Sequence, residues 1–180
     1  MFGLWRELIQ SKWSECSVTD AVPPALKERC EDELSVALPS ALNQFYRQSN
    51  GLVGPLGDMI VMPIQKLVKT NIDHWLNPDY EDQFMPLESL LFFGSRRDGD
   101  LFAFSILGEK VRENKIYRWE RATDSRVFYA ENLEQYMYKR WKSFQENSER
   151  FWDLARDCKD FDDYKVFLRW CREADQSSFA

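Results

Sequence analysis

His74 is the only histidine in this 180-residue chain, so any catalytic arrangement built on a histidine has to use it. A nucleophilic serine or cysteine needs a neighbouring base, and the sequence contains no G-x-S-x-G turn or similar nucleophile setting. His74 also falls inside a helical pattern of apolar residues, beside Asp73. This setting favours a structural histidine over a general base or a metal ligand.

The tripeptide Asp98-Gly99-Asp100 has the form of an Asp-x-Asp metal motif. The same three residues also make an ordinary turn, and Arg96 and Arg97 stand next to them as partners for local ion pairs. The glycines nearby lack the Gly-Lys-Ser/Thr ending of a phosphate-binding loop. We therefore expect no catalytic residues, no metal and no cofactor. An enzyme that holds a metal on Asp98 and Asp100 is kept as an alternative.

The spacing of the cysteines and the sequence of residues 1–9 indicate the cellular compartment in which the protein works. None of the four cysteines forms a CxxC pair, which disfavours a zinc site and favours buried free thiols; they are Cys16, Cys30, Cys158 and Cys171. Residues 1–9 lack the basic and apolar regions of a secretory signal, and no stretch of the sequence is long and apolar enough to span a membrane. We expect a cytoplasmic protein.

Charge gives the clearest functional indication. The net charge is −6, which argues against direct binding of nucleic acid, because a nucleic-acid surface needs basic side chains. The stretch from Thr70 to Ser95, which we call the acidic segment, has neither lysine nor arginine. It carries five acids: Asp73, Asp79, Glu81, Asp82 and Glu88. Most of the net charge of the chain therefore lies in this one segment.

Two aromatic residues, Trp75 and Tyr80, are interleaved with these acids. Aromatic rings supply contact area in protein interfaces, and carboxylates pair with lysine and arginine. This combination predicts a surface that binds a basic protein, formed by Asp73, Trp75, Asp79, Tyr80, Glu81, Asp82 and Glu88. The alternative is a solvated loop whose tryptophan folds back into the core.

The elements that must position this segment change along the chain from helix to strand and back to helix. Helical spacing of apolar residues predicts helices near 2–13, over 25–34, 39–49, 64–75 and 133–144, and in a C-terminal extension. Short apolar or alternating runs predict strands over 57–63, 90–94, 101–106, 115–121 and 127–129. Short turns between these strands favour antiparallel pairing. The predicted fold class is α+β: an antiparallel sheet with helices packed around it.

Several of these pieces stand in an order that resembles the SUKH superfamily. Leu38-Pro39 is followed by Phe45-Tyr46 and by Asn50-Gly51, where we expect the helix to end. A strand and a "Pro-x-x-x-Leu" helix start follow over 60–67. Later come Phe92-Phe93-Gly94, Gly99-Asp100 before an apolar strand, Trp119, and Leu133 at the start of a helix. The resemblance covers roughly residues 24–144. It departs from the family pattern at Ser95-Arg96-Arg97-Asp98, in the length of the stretch 73–85, and in the extension beyond Phe144.

The resemblance implies a non-enzymatic role. Bacterial members of the superfamily are mostly immunity proteins that neutralise toxins, many of them nucleases, and fungal members include a regulator of cell-wall synthesis. We expect one domain over 1–180, with a SUKH-like core at 24–144 and a helical extension at 145–180. The expected function is occlusion of a basic toxin domain by the acidic segment. The alternative is a regulatory or scaffolding module with no toxin partner.

Overall fold

Three helices in the first half of the chain begin directly after a proline. The computed structural model describes residues 5, 9, 16–54, 57–108 and 110–144. In it, α1 spans Pro24–Leu34, α2 spans Ser40–Tyr46 and α3 spans Ile64–Trp75. Proline suits the start of a helix because its fixed φ is close to the helical value. Its side chain cannot accept a hydrogen bond, so the first N–H groups need partners from elsewhere in the chain.

Two of these partners come from distant residues. The carboxylate of Glu113 accepts hydrogen bonds from the N–H and the hydroxyl of Ser40, at the start of α2. The side-chain oxygen of Asn50 accepts from the N–H of Ile64, at the start of α3, at 2.7 Å. Long-range contacts therefore take the place of local capping side chains at both helices.

The strands form two antiparallel sheets, which confirms the predicted α+β class and divides the predicted sheet into two. The first sheet has the order β1-β2-β3, with β1 at Ser17–Val18, β2 at Leu52–Val53 and β3 at Met59–Val61. The second has the order β4-β5-β6-β7, with β4 at Leu90–Ser95, β5 at Leu101–Leu107, β6 at Lys110–Glu120 and β7 at Ser125–Ala130. A hydrogen bond of 2.8 Å from the N–H of Met62 to the carbonyl of Phe93 joins the end of β3 to β4.

Adjacent residues of β4 face opposite sides of the second sheet, as the pleat requires. The ring of Phe92 contacts His74 of α3 and Trp119 of β6, at 5.4 and 5.6 Å. The ring of Phe93 contacts Phe104 of β5 and Tyr136, at 4.8 and 5.0 Å. Both faces of this sheet are therefore covered by aromatic packing.

Gly94 is required by a close approach between β4, β3 and the residues after β7. A Cβ atom at this position would lie 2.6 Å from the hydroxyl of Tyr136 and 2.8 Å from the carbonyl oxygen of Ile60. The Tyr136 hydroxyl donates to that same carbonyl at 2.7 Å. Any side chain at Gly94 would break this contact, which explains the glycine of the Phe-Phe-Gly motif.

Helix α5 occupies residues 133–144, and the side chain of Asn132 caps it by accepting from the N–H of Gln135 at 2.8 Å. The chain divides into two compact units, Met1–Met137 and Tyr138–Ala180. Both sheets and the acidic segment belong to the first unit. The predicted extension at 145–180 and most of the predicted N-terminal helix lie outside the described residues; of the latter, Trp5 and Ile9 are helical and buried. The predicted domain limits stay predictions.

Candidate protein-binding site

The acidic segment runs through two short helical turns on its way into the second sheet. It includes the end of α3, then α4 at Pro78–Glu81, then a 3₁₀ turn at Leu87–Ser89 that leads directly into β4. Asn77 caps α4, since its side-chain oxygen accepts from the N–H of Asp79 at 3.0 Å. Pro78 occupies the first helical position, where its missing N–H removes no hydrogen bond.

The aromatic residues of the segment are turned towards the sheet. The indole N–H of Trp75 donates to the carbonyl of Leu90 at 3.0 Å, and its side chain is half-buried. The half-buried ring of Tyr80 lies 5.5 Å from His74 and 5.0 Å from Phe84. Trp75 therefore takes the position that the loop alternative describes, and Tyr80 helps to fix the segment to the sheet.

Polar contacts attach the second half of the segment to β7 and to the turn before it. The N–H of Met85 donates to the carboxylate of Asp124 at 2.6 Å, and that carboxylate also accepts from the indole of Trp119 at 2.7 Å. The guanidinium of Arg126 donates to the carbonyls of Met85 and Pro86, at 2.9 and 3.1 Å. The backbone at Met85 and Pro86 is therefore held both by Asp124, in the turn before β7, and by Arg126 of β7.

The carboxylates of the segment point to solvent. Asp79, Glu81, Asp82 and Glu88 are exposed, and we call these four residues the acidic surface. Asp73 is exposed as well, but it pairs with Lys69 at 2.8 Å, and the hydrogen bond from Lys69 lowers the pKa of its carboxyl group. Asp73 thus already has a cationic partner within its own helix.

Sequence reasoning missed two exposed apolar residues that belong to the same segment. Leu76 and Met85 are 76% and 51% exposed and lie on either side of α4. Single exposed apolar side chains are common on protein surfaces, so these two residues add apolar contact area to the segment and do not define a site on their own. The sequence holds no signal for their exposure, because Leu76 continues the helical spacing of Val68 and Ile72, and Met85 stands in a stretch without a clear period.

His74, itself part of the acidic segment, lies in an aromatic cluster between α4 and the second sheet. Its ring contacts Tyr80, Phe92 and Trp119 at 5.5, 5.4 and 5.7 Å, and its Nδ1 lies 2.7 Å from the carbonyl oxygen of Thr70. Burial lowers the pKa of the imidazole. A neutral imidazole packed in this way supports the structural role that its sequence position predicts.

The Asp98-Gly99-Asp100 tripeptide forms the turn between β4 and β5. Asp98 pairs with Arg96 at 2.9 Å, and Asp100 accepts from the N–H of Arg121 at 3.3 Å. Burial, then the charge of Asp98, raises the pKa of the Asp100 carboxyl group. Within the ranges that the structure describes, no group of three or more histidine, cysteine, aspartate or glutamate residues could hold a metal ion.

The buried thiol of Cys30 is not set up for nucleophilic chemistry. Cys30 forms no disulfide, and burial raises the pKa of its thiol to about 12. Such a thiol stays protonated at neutral pH and is a weak nucleophile. Cys158 and Cys171 lie outside the described residues. The feature that the acidic segment provides is a charged contact surface with two exposed apolar side chains.

Residues 27–137 match the family described as SUKH_6, SMI1-KNR4 cell-wall. The chain belongs to this family. The SUKH_6 match confirms the resemblance drawn from the ordered motifs, and it contains the whole acidic segment and every strand except β1. Membership of the SUKH_6 family supports a role in protein interaction or immunity. A comparison with curated proteins finds no match. None of the helices in the described part of the chain is long and apolar enough to cross a membrane.

Proposed function

We propose that this protein is a non-enzymatic, cytoplasmic immunity protein that binds a basic toxin domain of the nuclease type. The observation that carries the proposal is the acidic surface itself. Four exposed carboxylates and two exposed apolar side chains share a segment without lysine or arginine, and hydrogen bonds and aromatic packing hold that segment in place. A prepositioned surface binds with a smaller loss of conformational entropy than a flexible loop does.

The mechanism is occlusion of the substrate path. A nuclease binds the phosphates of its substrate through basic side chains, so its active-site groove attracts carboxylates as well. Asp79, Glu81 and Asp82 would take the positions of phosphates, and Leu76 and Met85 would add apolar contact area at the edges. Opposite charges also speed association, which matters for a protein that must bind a toxin before the toxin acts.

The test is charge reversal on the acidic surface. We expect the Asp79→Lys, Glu81→Lys, Asp82→Lys triple variant to bind the cognate toxin domain that this proposal requires at least tenfold more weakly, a loss of about 1.4 kcal/mol or more. We also expect the affinity of the unaltered protein to fall as salt is raised, with a weaker dependence in the variant. Isothermal titration calorimetry measures both, and a nuclease assay shows whether cleavage returns.

The control changes the net charge by the same amount at other exposed acids. Glu28→Lys, Asp32→Lys and Glu134→Lys lie on α1 and α5, and this triple variant is expected to bind normally. Equal binding by the acidic-surface variant and the unaltered protein would reject this surface. A toxin domain that the unaltered protein neither binds nor inhibits would reject the immunity function and leave the regulatory alternative.

A further inference from the structure

The face of the second sheet that carries the acidic segment is covered only in part. The residues of β6 and β7 on this face form two opposite pairs: Trp119 with Arg126, and Tyr117 with Phe128. Trp119 is fully buried, and the ring of Phe84 from the acidic segment lies 5.2 Å from it. Two residues further along the strands, Tyr117 is half-buried and Phe128 is 50% exposed. The acidic segment therefore leaves the ring of Phe128 open to solvent.

Arg126 joins this open part of the face to the acidic segment. Its guanidinium donates to the hydroxyl of Ser89 at 2.8 Å and to the carbonyl of Met85 at 2.9 Å. Phe128 stands two residues further along the same strand, a rise of about 7 Å, and faces the same side. Its ring lies 6.4 Å from that of Tyr117. These neighbours form one surface, which we call the aromatic patch: Met85, Tyr117, Arg126 and Phe128.

The residue types of the aromatic patch are those of an interface centre. Aromatic residues, methionine and arginine are enriched at the centres of protein interfaces, whereas lysine, glutamate and aspartate are depleted there. Charged residues are typical of the rim, where they remain in contact with water. The patch has this composition, and its Met85 is 51% exposed, so both of its ends are accessible to a partner.

The rim of the aromatic patch is mainly acidic. Exposed Glu88, a member of the acidic surface, lies at one end. At the other end, the hollow beside Phe128 is lined by the exposed side chains of Glu113, Lys115 and Glu131. Three acids against one lysine make the rim negative. A basic partner is attracted to such a rim, and a second copy of this chain, with its own net charge of −6, is repelled.

Bulges in β6 and β7 keep the backbone edge from taking up another strand. Tyr129 is an extra residue in the pairing of β7 with β6, where the register shifts. In β6, residues 113–115 are three extra residues between the partners of Ser105 and Phe104. Bulges interrupt the row of backbone donors and acceptors and redirect side chains. A partner therefore contacts the side chains of this face rather than the edge of the sheet.

We propose that the aromatic patch is a second contact site for the basic toxin domain, with Phe128 as its anchor. This inference rests on the proposed function, and names a further part of the same interface. Because Glu88 belongs to the acidic surface and also borders the patch, a partner that covers the acidic surface reaches both. A lysine or arginine of the partner that lies on the Phe128 ring gains cation–π attraction, and Glu131 beside the ring adds its charge.

Binding of the full chain to the cognate toxin domain that the proposed function requires tests the patch. We expect Phe128→Ala to bind at least about tenfold more weakly, because an interface anchor is lost. Its affinity should fall with salt as steeply as that of the unaltered protein, since every acid is retained. Leu107→Ala, at a residue 65% exposed on β5, should bind normally. Calorimetric titration measures all three proteins.

The outcomes separate this inference from the proposed function. If the unaltered protein binds the toxin domain and Phe128→Ala binds it equally well, the patch is not a contact site and the acidic surface acts alone. A toxin domain that the unaltered protein does not bind rejects the proposed function, and this inference with it.

Hydroxyl-radical footprinting of the unaltered protein decides the matter if circular dichroism shows that Phe128→Ala does not fold. We expect the modification of Phe128 and Met85 to decrease several-fold in the complex, while that of Leu107 stays the same. Equal modification of Phe128 in the free and bound protein would overturn the proposal. Protection of Phe128 that rises with the concentration of the free protein would assign the patch to a second copy and overturn it as well.

Discussion

Asn50 shows how the side chain and backbone of one residue can join separate parts of this fold. Its side-chain oxygen caps α3 at Ile64, its backbone N–H donates to the carbonyl of Asp20, and its own carbonyl accepts from the hydroxyl of Thr19. Its neighbour Gly51 has φ near +98°, and a Cβ there would lie 2.8 Å from the nitrogen of Pro63. The sequence pair Asn-Gly thus lets the chain pass close to the start of α3 just before it enters β2. Helix α2 itself ends earlier, at Tyr46.

We expect His74 to make the stability of the chain depend on pH, and its NMR signals can be assigned directly, since the sequence holds no other histidine. Burial, the largest influence, lowers the folded-state pKa below the ordinary 6.5, and the positive charge of Arg121 acts in the same direction. The unfolded chain therefore binds the proton more readily. Stability is complete above the unfolded pKa and decreases as the pH falls from there towards the folded pKa.

We expect the urea midpoint of unfolding to decrease between pH 7.5 and pH 5, and the decrease to be smaller in His74→Phe. Phenylalanine retains the ring packing against Tyr80 and Trp119 and cannot take up a proton. Urea titrations at constant ionic strength measure the difference, and the imidazole signals of the single histidine should titrate below 6.5 in proton NMR. Identical pH dependence in the two proteins would show that His74 does not contribute.

One buried amide, that of Asn71, helps to fix helix α3 to strand β4. The Asn71 side chain is fully buried, accepts from the N–H of Phe92 and donates to the carbonyl of Phe92, each at 2.8 Å. It also lies within 2.8 Å of the carbonyl of Leu67 in its own helix. Asn71 therefore supplies the backbone of β4 with the same two hydrogen bonds that a neighbouring strand would give.

We expect Asn71→Ala to lower the free energy of unfolding by about 3 kcal/mol, because it leaves the N–H and the carbonyl of Phe92 buried without these partners. Asn71→Asp should also destabilise the fold, since a carboxylate cannot donate to the two carbonyls. Asn114→Ala, at an exposed position on β6, provides the control. Urea denaturation measures all three variants, and a stability of Asn71→Ala close to that of the control would refute this role.

The elements that sequence periodicity predicts are those with enough residues to show a period. Helix α3 and strands β4 and β5 were predicted within one or two residues, because apolar residues repeat clearly between turns. Strands β1 and β2 have two residues each and show no pattern. Strand β6 begins at Lys110, earlier than predicted, because its first residues are polar and pair within a hairpin.

The sequence predicts the charge of the candidate site but not the directions in which its apolar side chains point. The lack of lysine and arginine from Thr70 to Ser95 is visible in the sequence, and the acids after α3 are exposed as expected. The inward direction of Trp75 depends on the carbonyl of Leu90, which only the folded chain places nearby. In the same way, Met85 is presented to solvent because Asp124 and Arg126 hold its backbone. Such long-range contacts leave no periodic trace.

At the scale of the whole molecule, the charge of the chain is unevenly distributed. The acidic segment contains five acids and neither lysine nor arginine, so it contributes −5 to the net charge of −6, and the other residues together carry −1. A basic partner is therefore attracted to this one segment.

The last prediction concerns how much of the chain these properties need. The SUKH_6 match ends at residue 137, and both the acidic surface and β7 lie inside it. We therefore expect a chain ending at residue 144 to unfold cooperatively and to bind the toxin domain with unchanged affinity. Thermal unfolding followed by circular dichroism and a calorimetric titration beside the full chain measure the two properties. Because the charges and backbone contacts of the acidic surface are all retained, a folded truncated chain with weakened binding would assign a direct part in recognition to residues 145–180.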